Sequence, residues 1–523
     1  MRTFISVAAA VMMLAGPVQA QNTLRWASQG DGFTLDPHAQ NEGQTHAINR
    51  QMMEPLIERR PDLTKIPALA LSWTLINPTT WEFKLRPKVK FHDGRAFSAD
   101  DVVFSYKRAM MPTSDMKDII STLKDVTKVD DLTVHFITTG PDPVFPDVAT
   151  NIFIMSKSWA EEHKVTAPQD IVAKQETYAV RNAIGTGPFK LQLREPDVRT
   201  VMVKNTEWWG YADPAYKDHN VDRVVFTPVA NAATRVAALL SGELDFLLDP
   251  PVQDVARIES SGQFTLQRVP EVRSIFLGMK TNTKELASSS VKGKNPFSDI
   301  RVRRAMNMAV DVNAITKRTM RGQAQPAGYV LPPGVHGYHA DLDQHLPFDV
   351  EGAKKLLTEA GYPNGFDVRL DCPNDRYLND EEICQAVTGM LARVGVKVTL
   401  DLKPRTLHFP KIQNDTSDFY MLGWGTLTTD AYYHLSFMVL TSSTWNRTGY
   451  LDQKMEDLVN ALGVETDIAK RDAMIREASV RSRDGYATIP LHTQFLTWAT
   501  RKNVTVPITA DNLPAFRYAR FAK

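Results

Sequence analysis

The sequence predicts a mixed α/β protein with more than one domain, on two observations. The chain has 523 residues, which is more than a single hydrophobic core normally supports. Strand-like and helix-like patterns also alternate along the chain without one dominant period. The composition, 43% hydrophobic and 23% charged, is typical of folded globular domains and argues against disorder.

The charges are balanced, with 61 basic and 60 acidic residues and a formal net charge of +1. No basic stretch or acidic tail stands out along the sequence. Proteins that bind nucleic acid or an anionic membrane surface normally carry such a patch. We therefore expect no nucleic-acid partner and no electrostatic attachment to a membrane.

The first twenty residues have the pattern of a secretory signal peptide. Arg2 gives a short positive start, residues 4–16 form an apolar run, and residues 18–20 (VQA) form a small-residue cleavage site. We expect cleavage before Gln21. No cysteine lies near this site for a lipid anchor, and no later apolar run reaches membrane-spanning length. These features predict an exported protein, most simply in the periplasm of a Gram-negative cell.

The chain contains two cysteines, Cys372 and Cys384. Export to an oxidising compartment makes a disulfide between them the expected state. A redox or metal pair is the alternative, but the spacing is not C-x-x-C and no histidine is nearby.

Residues 81–105 (WEFKLRPKVKFHDGRAFSADDVVFS) form the most informative segment. Apolar and polar residues alternate at 81–85 and again at 89–91, which predicts two short strands. Asp93-Gly94 predicts a turn. Ser98, three residues before Asp101, predicts a capped helix start.

Four later segments show equally clear local patterns. Residues 185–189 (GTGPF) predict a turn that leads into a strand, and residues 235–245 predict a helix followed by a strand. Ser298 or Asp299 is expected to cap another helix. Residues 349–363 predict a helix that begins at an aspartate cap and ends at Gly-Tyr-Pro.

The string at 81–105 closely resembles the signature segment of family 5 extracellular solute-binding proteins. These are the peptide, nickel and opine receptors of ABC importers. Residues 35–37 (LDP), 53–56 (MEPL) and 67–73 (PALALSW) match the opening of that family. Together with the later segments they resemble its landmarks in the same order, from about residue 35 to about residue 490. The resemblance implies an α/β fold of the bilobal periplasmic-binding-protein type, with two lobes, a hinge, a ligand cleft and an inserted third domain.

The resemblance also implies a division of the chain. Lobe I would comprise residues 21–62, 185–271 and 497–523, the inserted domain residues 63–184, and lobe II residues 272–496. The ligand would lie between the lobes, which close over it by hinge motion.

Motifs for catalysis are weak throughout. The sequence contains no G-x-S-x-G, Walker A, H-E-x-x-H or C-x-x-C pattern. His336 and His339 have a spacing that would permit a metal ion, but surface histidines are the simpler interpretation. We therefore expect no catalytic residues, no cofactor and no metal site. An exported hydrolase and a chaperone-like or murein-peptide scavenging protein remain alternatives.

Residues 421–430 (MLGWGTLTTD) resemble the cleft motif of the family. In its peptide receptors an aspartate three residues after the tryptophan pairs with the ligand ammonium, and this position is Leu427 here. In the oligopeptide receptors an arginine three residues before the tryptophan holds the ligand carboxylate, and this position is Met421. Asp430 is the next acidic residue. One hypothesis is that it pairs with a cationic group of the ligand, and the alternative is that the usual charge clamp is absent.

Seven residues are predicted to bind ligand, in part from the resemblance. They are Trp424, Asp430, Trp445, Asn446, Arg447, Arg273 and Gln29. Alternative interpretations are core packing for Trp424, a loop cap for Asp430, an ordinary surface position for Arg447 and a bridge between lobes for Arg273.

The resulting hypothesis is a periplasmic solute-binding protein that captures a small ligand and delivers it to an ABC permease in the inner membrane. A peptide is the first choice of ligand, because it is the family default. An opine, a sugar conjugate or a metal chelate is the alternative, because two charged positions are missing. We expect the protein to be a monomer.

Overall fold

The computed structural model describes residues 21–522 except 172, 174, 375, 427 and 444. The predicted signal peptide and Leu427 therefore lie outside the described residues. Within these bounds, no helix combines the length and apolar character needed to cross a bilayer.

Strands and helices alternate along the chain. The strands are β1 Thr23–Ser28, β2 Ile57–Arg59, β3 Lys65–Pro67, β4 Ala70–Asn77, β5 Thr80–Leu85, β6 Leu123–Asp130, β7 Thr133–Thr138, β8 Phe189–Glu195, β9 Arg199–Lys204, β10 Arg223–Pro228, β11 Phe246–Leu248, β12 Phe264–Pro270, β13 Arg273–Met279, β14 Ala324–Pro326, β15 Asp367–Pro373, β16 Lys397–Lys403, β17 Phe419–Gly425, β18 Thr488–Arg501, β19 Val504–Thr505 and β20 Arg520–Phe521. The helices are α1 Gly43–Asn49, α2 Ala99–Ala109, α3 Phe145–Val148, α4 Lys157–Glu162, α5 Ala232–Ser241, α6 Val252–Ser260, α7 Ile300–Met308, α8 Val312–Ala314, α9 Val350–Glu359, α10 Asp380–Ala392, α11 Arg405–Gln413, α12 Ala431–Met438, α13 Gln453–Leu462 and α14 Ile468–Asp484.

One large sheet runs through both lobes. Its strand order is β16-β15-β17-β13-β18-β11-β1-β10-β9-β8, and β12 and β14 also pair with β18. The long strand β18 is shared, because residues 488–492 pair with β13 and residues 495–501 pair with β12. The bilobal α/β fold is therefore as predicted. The residue boundaries of the domains remain a prediction.

Each region has its own hydrophobic core. One core gathers residues between 24 and 53 with residues from the 189–248 region and the end of the chain. A second core lies between residues 56 and 154, and a third between residues 275 and 491. Separate cores joined by a shared sheet allow each body to stay rigid while the strands between them bend.

The segment at 81–105 begins in a separate four-stranded sheet with the order β4-β5-β7-β6 and runs into helix α2. Its first strand is present as β5, and the helix start is confirmed as α2. Asp101 accepts a hydrogen bond from the Ser98 amide at 2.9 Å, and the Ser98 hydroxyl accepts one from the Asp100 amide at 3.3 Å. The predicted second strand is reduced to a single bridge between Lys90 and Ala96.

A disulfide joins Cys372 on β15 to Cys384 on α10, as expected. Both cysteines are fully buried in the core of lobe II, and twelve positions separate them in the sequence. The bond therefore fixes α10 against the sheet.

A buried ion pair ties helix α2 to the segment that follows β1. The Arg108 guanidinium on α2 donates to the two Asp36 carboxylate oxygens at 2.7 and 2.6 Å, and both side chains are fully buried. Burial alone would raise the pKa of Asp36, but Arg108 outweighs it and holds that pKa below its usual range. Two such charges are tolerated in a protein interior only as a pair.

We expect Arg108→Ala to lower the free energy of unfolding by about 3–5 kcal/mol, because it leaves the Asp36 carboxylate buried and unpaired. Urea unfolding followed by circular dichroism measures the change. The matched control is Lys107→Ala, one residue away on α2, whose half-exposed side chain pairs with Asp125 at 3.4 Å. It should cost less than about 1 kcal/mol. Equal costs for the two variants would contradict the assigned role of the buried pair.

Candidate ligand-binding cleft

A cavity of about 370 Å³ lies where the chain passes from β12 to β13, beside the end of β17. Its wall is formed by Glu271, Val272, Arg273, Arg376, Tyr377, Phe409, Leu422, Gly423, Trp424, Gly425, Thr426, Tyr433, Trp445, Ala510 and Asp511. This set combines residues of lobe II with the step between β12 and β13 and with the C-terminal segment.

Two neighbouring cavities share lining residues with this main cavity. One, of about 280 Å³, shares Arg273, Thr426 and Asp511 with it and reaches the segments around residues 41–59 and 150–153. The other, of about 380 Å³, shares Arg376 and Tyr377 with it and reaches Gln29 and Asp249. Together they form a groove with walls from lobe I, the inserted module and lobe II. Such a position between domains is typical of ligand sites.

Paired glycines at the end of β17 allow two functional side chains to approach the backbone. A Cβ at Gly425 would lie 3.0 Å from the Arg273 guanidinium carbon. A Cβ at Gly423 would lie 2.6 Å from the Tyr377 ring, whose hydroxyl accepts a hydrogen bond from the Gly423 amide at 2.7 Å. The Gly-Trp-Gly sequence therefore seats Arg273 and Tyr377 in the cavity wall.

One wall of the main cavity is aromatic. The Trp424 ring lies 5.3 Å from both the Phe437 and Trp445 rings and 6.1 Å from the Tyr433 ring. Trp424 is 9% exposed, and its Nε1 is buried without a hydrogen-bond partner among the described residues. Burial raises the pKa of Tyr433 to about 12, so its phenol is neutral at physiological pH.

The charged part of the cavity lining consists of four of the described residues, two acidic and two basic. They are Glu271, Asp511, Arg273 and Arg376. Glu271 and Arg273 pair at 3.0 Å between Oε1 and Nε. Arg376 lies over the ring of Tyr377, with 5.1 Å between the guanidinium carbon and the ring centroid. The formal charges of this wall cancel.

The inserted module contacts lobe II near one end of the groove. The Thr429 hydroxyl and amide donate to the Asp147 carboxylate at 2.5 and 3.2 Å. Burial would raise the pKa of Asp147, but Lys65 and Arg59 outweigh burial and lower it. The contact fixes the chain just beyond the Gly-Trp-Gly segment.

Four of the seven predicted ligand-binding residues line the groove. Arg273, Trp424 and Trp445 lie in the main cavity, and Gln29 lies in the extension toward lobe I. Their contact with a ligand remains a prediction.

The structure places Asp430 away from the lining of these cavities, in the protein interior. Its carboxylate caps α12 by accepting from the Tyr432 amide at 2.8 Å, pairs with Arg471 at 2.8 Å and contacts His336 at 3.1 Å. These contacts favour the loop-cap interpretation over the predicted role in binding an ammonium. The described residues contain no group of side chains suited to a metal ion, His336 and His339 included.

The contacts of Asn446 and Arg447 also indicate structural roles. The Asn446 amide donates to the Val439 carbonyl at 2.7 Å, and its oxygen accepts from the Thr448 hydroxyl at 2.9 Å. Arg447 donates to the Gln413 carbonyl. Neither residue lines the cavities described above. Met421, at the position of the family's arginine, is fully buried in the core of lobe II.

Sequence reasoning missed Glu271, Asp511, Arg376 and Tyr377 as cavity residues. The available signal was the pair of glycines around Trp424. Glycines on one side of a strand indicate that other groups approach its backbone closely, although the sequence does not show which groups these are.

The sequence profile of the bacterial extracellular solute-binding proteins, family 5 (middle region), matches residues 64–446. The chain belongs to this family. Its family 5 fold agrees with the shared sheet and the groove between lobes. Curated relatives and solved structures align with the chain along most of its length.

Three family 5 proteins illustrate the similarity. The dipeptide-binding protein of Escherichia coli K12 is 28% identical over 504 residues, which cover 90% of this chain and 89% of that protein. The glutathione-binding protein GsiB of Pectobacterium atrosepticum is 26% identical and covers 96% of this chain and 95% of its own. The structure of HbpA2 from Haemophilus parasuis superposes with a TM-score of 0.82 at 24% identity, over 96% of this chain and all of that one.

We expect Gly423→Ala to destabilise this family 5 protein by about 1–3 kcal/mol, since overpacking a tight site costs that much. The new methyl group would press on the Tyr377 ring and on Ile275 Cδ1, at 2.6 and 2.5 Å. Urea unfolding provides the measurement.

The control is Gly389→Ala within α10, where a Cβ meets open space. It should leave stability unchanged or raise it by about 0.5–1 kcal/mol, because alanine is the better helix residue. Destabilisation of the same size in both variants would show that the close approach at Gly423 is not the cause.

Proposed function

We propose that this protein is the periplasmic solute-binding component of an ABC importer, and that it captures a peptide or peptide-like ligand. The observation that carries the proposal is the main cavity, whose lining combines charge-balanced polar residues with aromatic residues. The curated relatives named above are dipeptide-binding and glutathione-binding proteins, which supports this class of ligand.

The charge balance decides between broad classes of ligand. The formal charges of the lining already balance, so a strongly anionic or cationic ligand would bring an uncompensated net charge into the cavity, which is costly where water is excluded. A zwitterion offers one partner to each sign. The aromatic wall adds apolar contact area, so a molecule with charged ends and an apolar side chain fits both walls.

We propose that the protein is exported and acts in the periplasm. The segment 1–20 would direct export and be removed before Gln21, without a lipid anchor. The mature protein would act as a monomer and pass its ligand to a permease in the inner membrane. Binding and release, with no chemical change to the ligand, would be its whole activity.

The proposal is tested by thermal-shift screening of the mature protein against dipeptides, tripeptides, opines, sugar conjugates and metal chelates. A ligand that binds only the native state stabilises it by about 2.7 kcal/mol when its concentration is one hundred times Kd. We expect one or more peptides to raise the melting temperature by several degrees.

Mass spectrometry of the same mixtures reports whether a bound compound is altered. A shift with an opine, sugar conjugate or chelate and none with peptides would contradict the peptide assignment. Conversion of a bound compound to a product would contradict the receptor role.

A further inference from the structure

We propose that Glu271 forms the cation subsite of the cavity and binds a free amino group of the ligand, with an aromatic or large apolar side chain beside that group packed against the Trp424 wall. This inference rests on the proposed function and specifies its ligand. Glu271 would thus bind the cationic group that Asp430 was predicted to bind.

The geometry of Glu271 leaves one carboxylate oxygen without a hydrogen-bond donor. Oε1 accepts from Arg273 Nε at 3.0 Å, whereas Oε2 is buried without a hydrogen-bond partner among the described residues. The Glu271 side chain is 14% exposed and lies in the wall of the main cavity. A buried carboxylate oxygen without a donor is costly, and a ligand N–H would satisfy it.

The backbone fixes this residue firmly. Glu271 follows β12, and its amide donates to the Gln494 carbonyl on β18 at 2.9 Å. Arg273, two residues on, opens β13 opposite Gly425. The backbone of Glu271 is therefore held by β18, and its carboxylate is held by the Arg273 guanidinium, which is the preorganisation that a charged subsite needs.

The other carboxylates of the groove are Glu58, Asp511 and Asp249, and they are already engaged. Glu58 accepts from Arg50 at 2.8 Å through Oε1 and pairs with Arg517 at 2.9 Å through Oε2. The two oxygens of Asp511 accept from the Leu513 amide at 3.0 Å and pair with Arg50 at 4.0 Å. Asp249 accepts from the Asn512 side-chain amide at 2.7 Å and lies in the extension toward lobe I. Of these four acids, Glu271 alone has a buried oxygen with neither a hydrogen-bond donor nor an ion-pair partner in the described part of the chain.

The surroundings define the rest of the ligand. Phe409, Leu422, Trp424, Tyr433 and Trp445 share the cavity with Glu271. Trp424 is more than nine-tenths buried, and its unpartnered Nε1 offers a hydrogen bond to a ligand carbonyl or carboxylate. A peptide with a free N-terminus and an aromatic first residue matches this combination of acceptor, donor and apolar surface.

Isothermal titration calorimetry with three probes tests the assignment on the mature protein at pH 7. The probes are Phe-Ala, acetyl-Phe-Ala and Ala-Ala. We expect wild type to bind Phe-Ala at least tenfold more tightly than acetyl-Phe-Ala, because acetylation removes the charge that Glu271 pairs with. It should also prefer Phe-Ala to Ala-Ala by about tenfold or more, from burial of the phenyl ring.

Glu271→Gln should reduce the preference for the free amine to about threefold or less and leave the affinity for acetyl-Phe-Ala nearly unchanged. Glutamine keeps the shape and an acceptor for Arg273, so a general loss of folding should not occur, and thermal melting checks this. The matched control is Glu259→Gln on α6, whose side chain is 60% exposed. It should retain the full preference.

Three results would overturn the assignment. Equal affinity of wild type for the free and acetylated peptides would do so without any variant, as would a free-amine preference that survives Glu271→Gln. Equal affinity for Phe-Ala and Ala-Ala would contradict the proposed packing of an aromatic ligand side chain against the Trp424 wall. If wild type binds no peptide in this panel or in the thermal-shift screen, the proposed peptide-binding function is contradicted, and so is the subsite at Glu271.

Discussion

The backbone pairing of β18 is the constraint on which the rest of the structure depends. This single strand, Thr488–Arg501, hydrogen-bonds with β13 of lobe II at its start and with β11 and β12 of lobe I at its end. The lobes therefore cannot separate without breaking a sheet. Relative motion has to be absorbed where pairing changes from β13 to β12, around residues 492–495, and a hinge built on a few extended residues suits that demand.

The same constraint explains where the cavity lies. Glu271 and Arg273 stand at the step between β12 and β13, so the charged wall is part of the hinge itself. Any motion of the lobes at this step would therefore involve the same few residues that line the cavity. A ligand that contacts this step interacts differently with different lobe positions, which is the physical requirement for a binding event to shift a conformational equilibrium.

Local patterns predicted the scaffold well, and long-range contacts limited the prediction of the site. The Ser98–Asp101 cap and the Cys372–Cys384 bond depend on residues close in sequence, so their chemistry is visible in the chain. Asp430 was assigned to the ligand because nothing in the local sequence shows that Arg471, 41 residues later, neutralises it. Likewise, Tyr377 enters the cavity through a contact with Gly423 that spans 46 positions.

The aromatic wall gives the protein an optical property. Trp424 and Trp445 border the cavity, while Trp26 and Trp498 are fully buried in lobe I. Indole emission responds to the polarity of its surroundings, so entry of a solute would change the emission of two of the nine tryptophans, with the other seven, the buried pair among them, as the background. The fold thus contains the elements of a reagent-free fluorescent sensor, whose signal would come from the residues that select the solute.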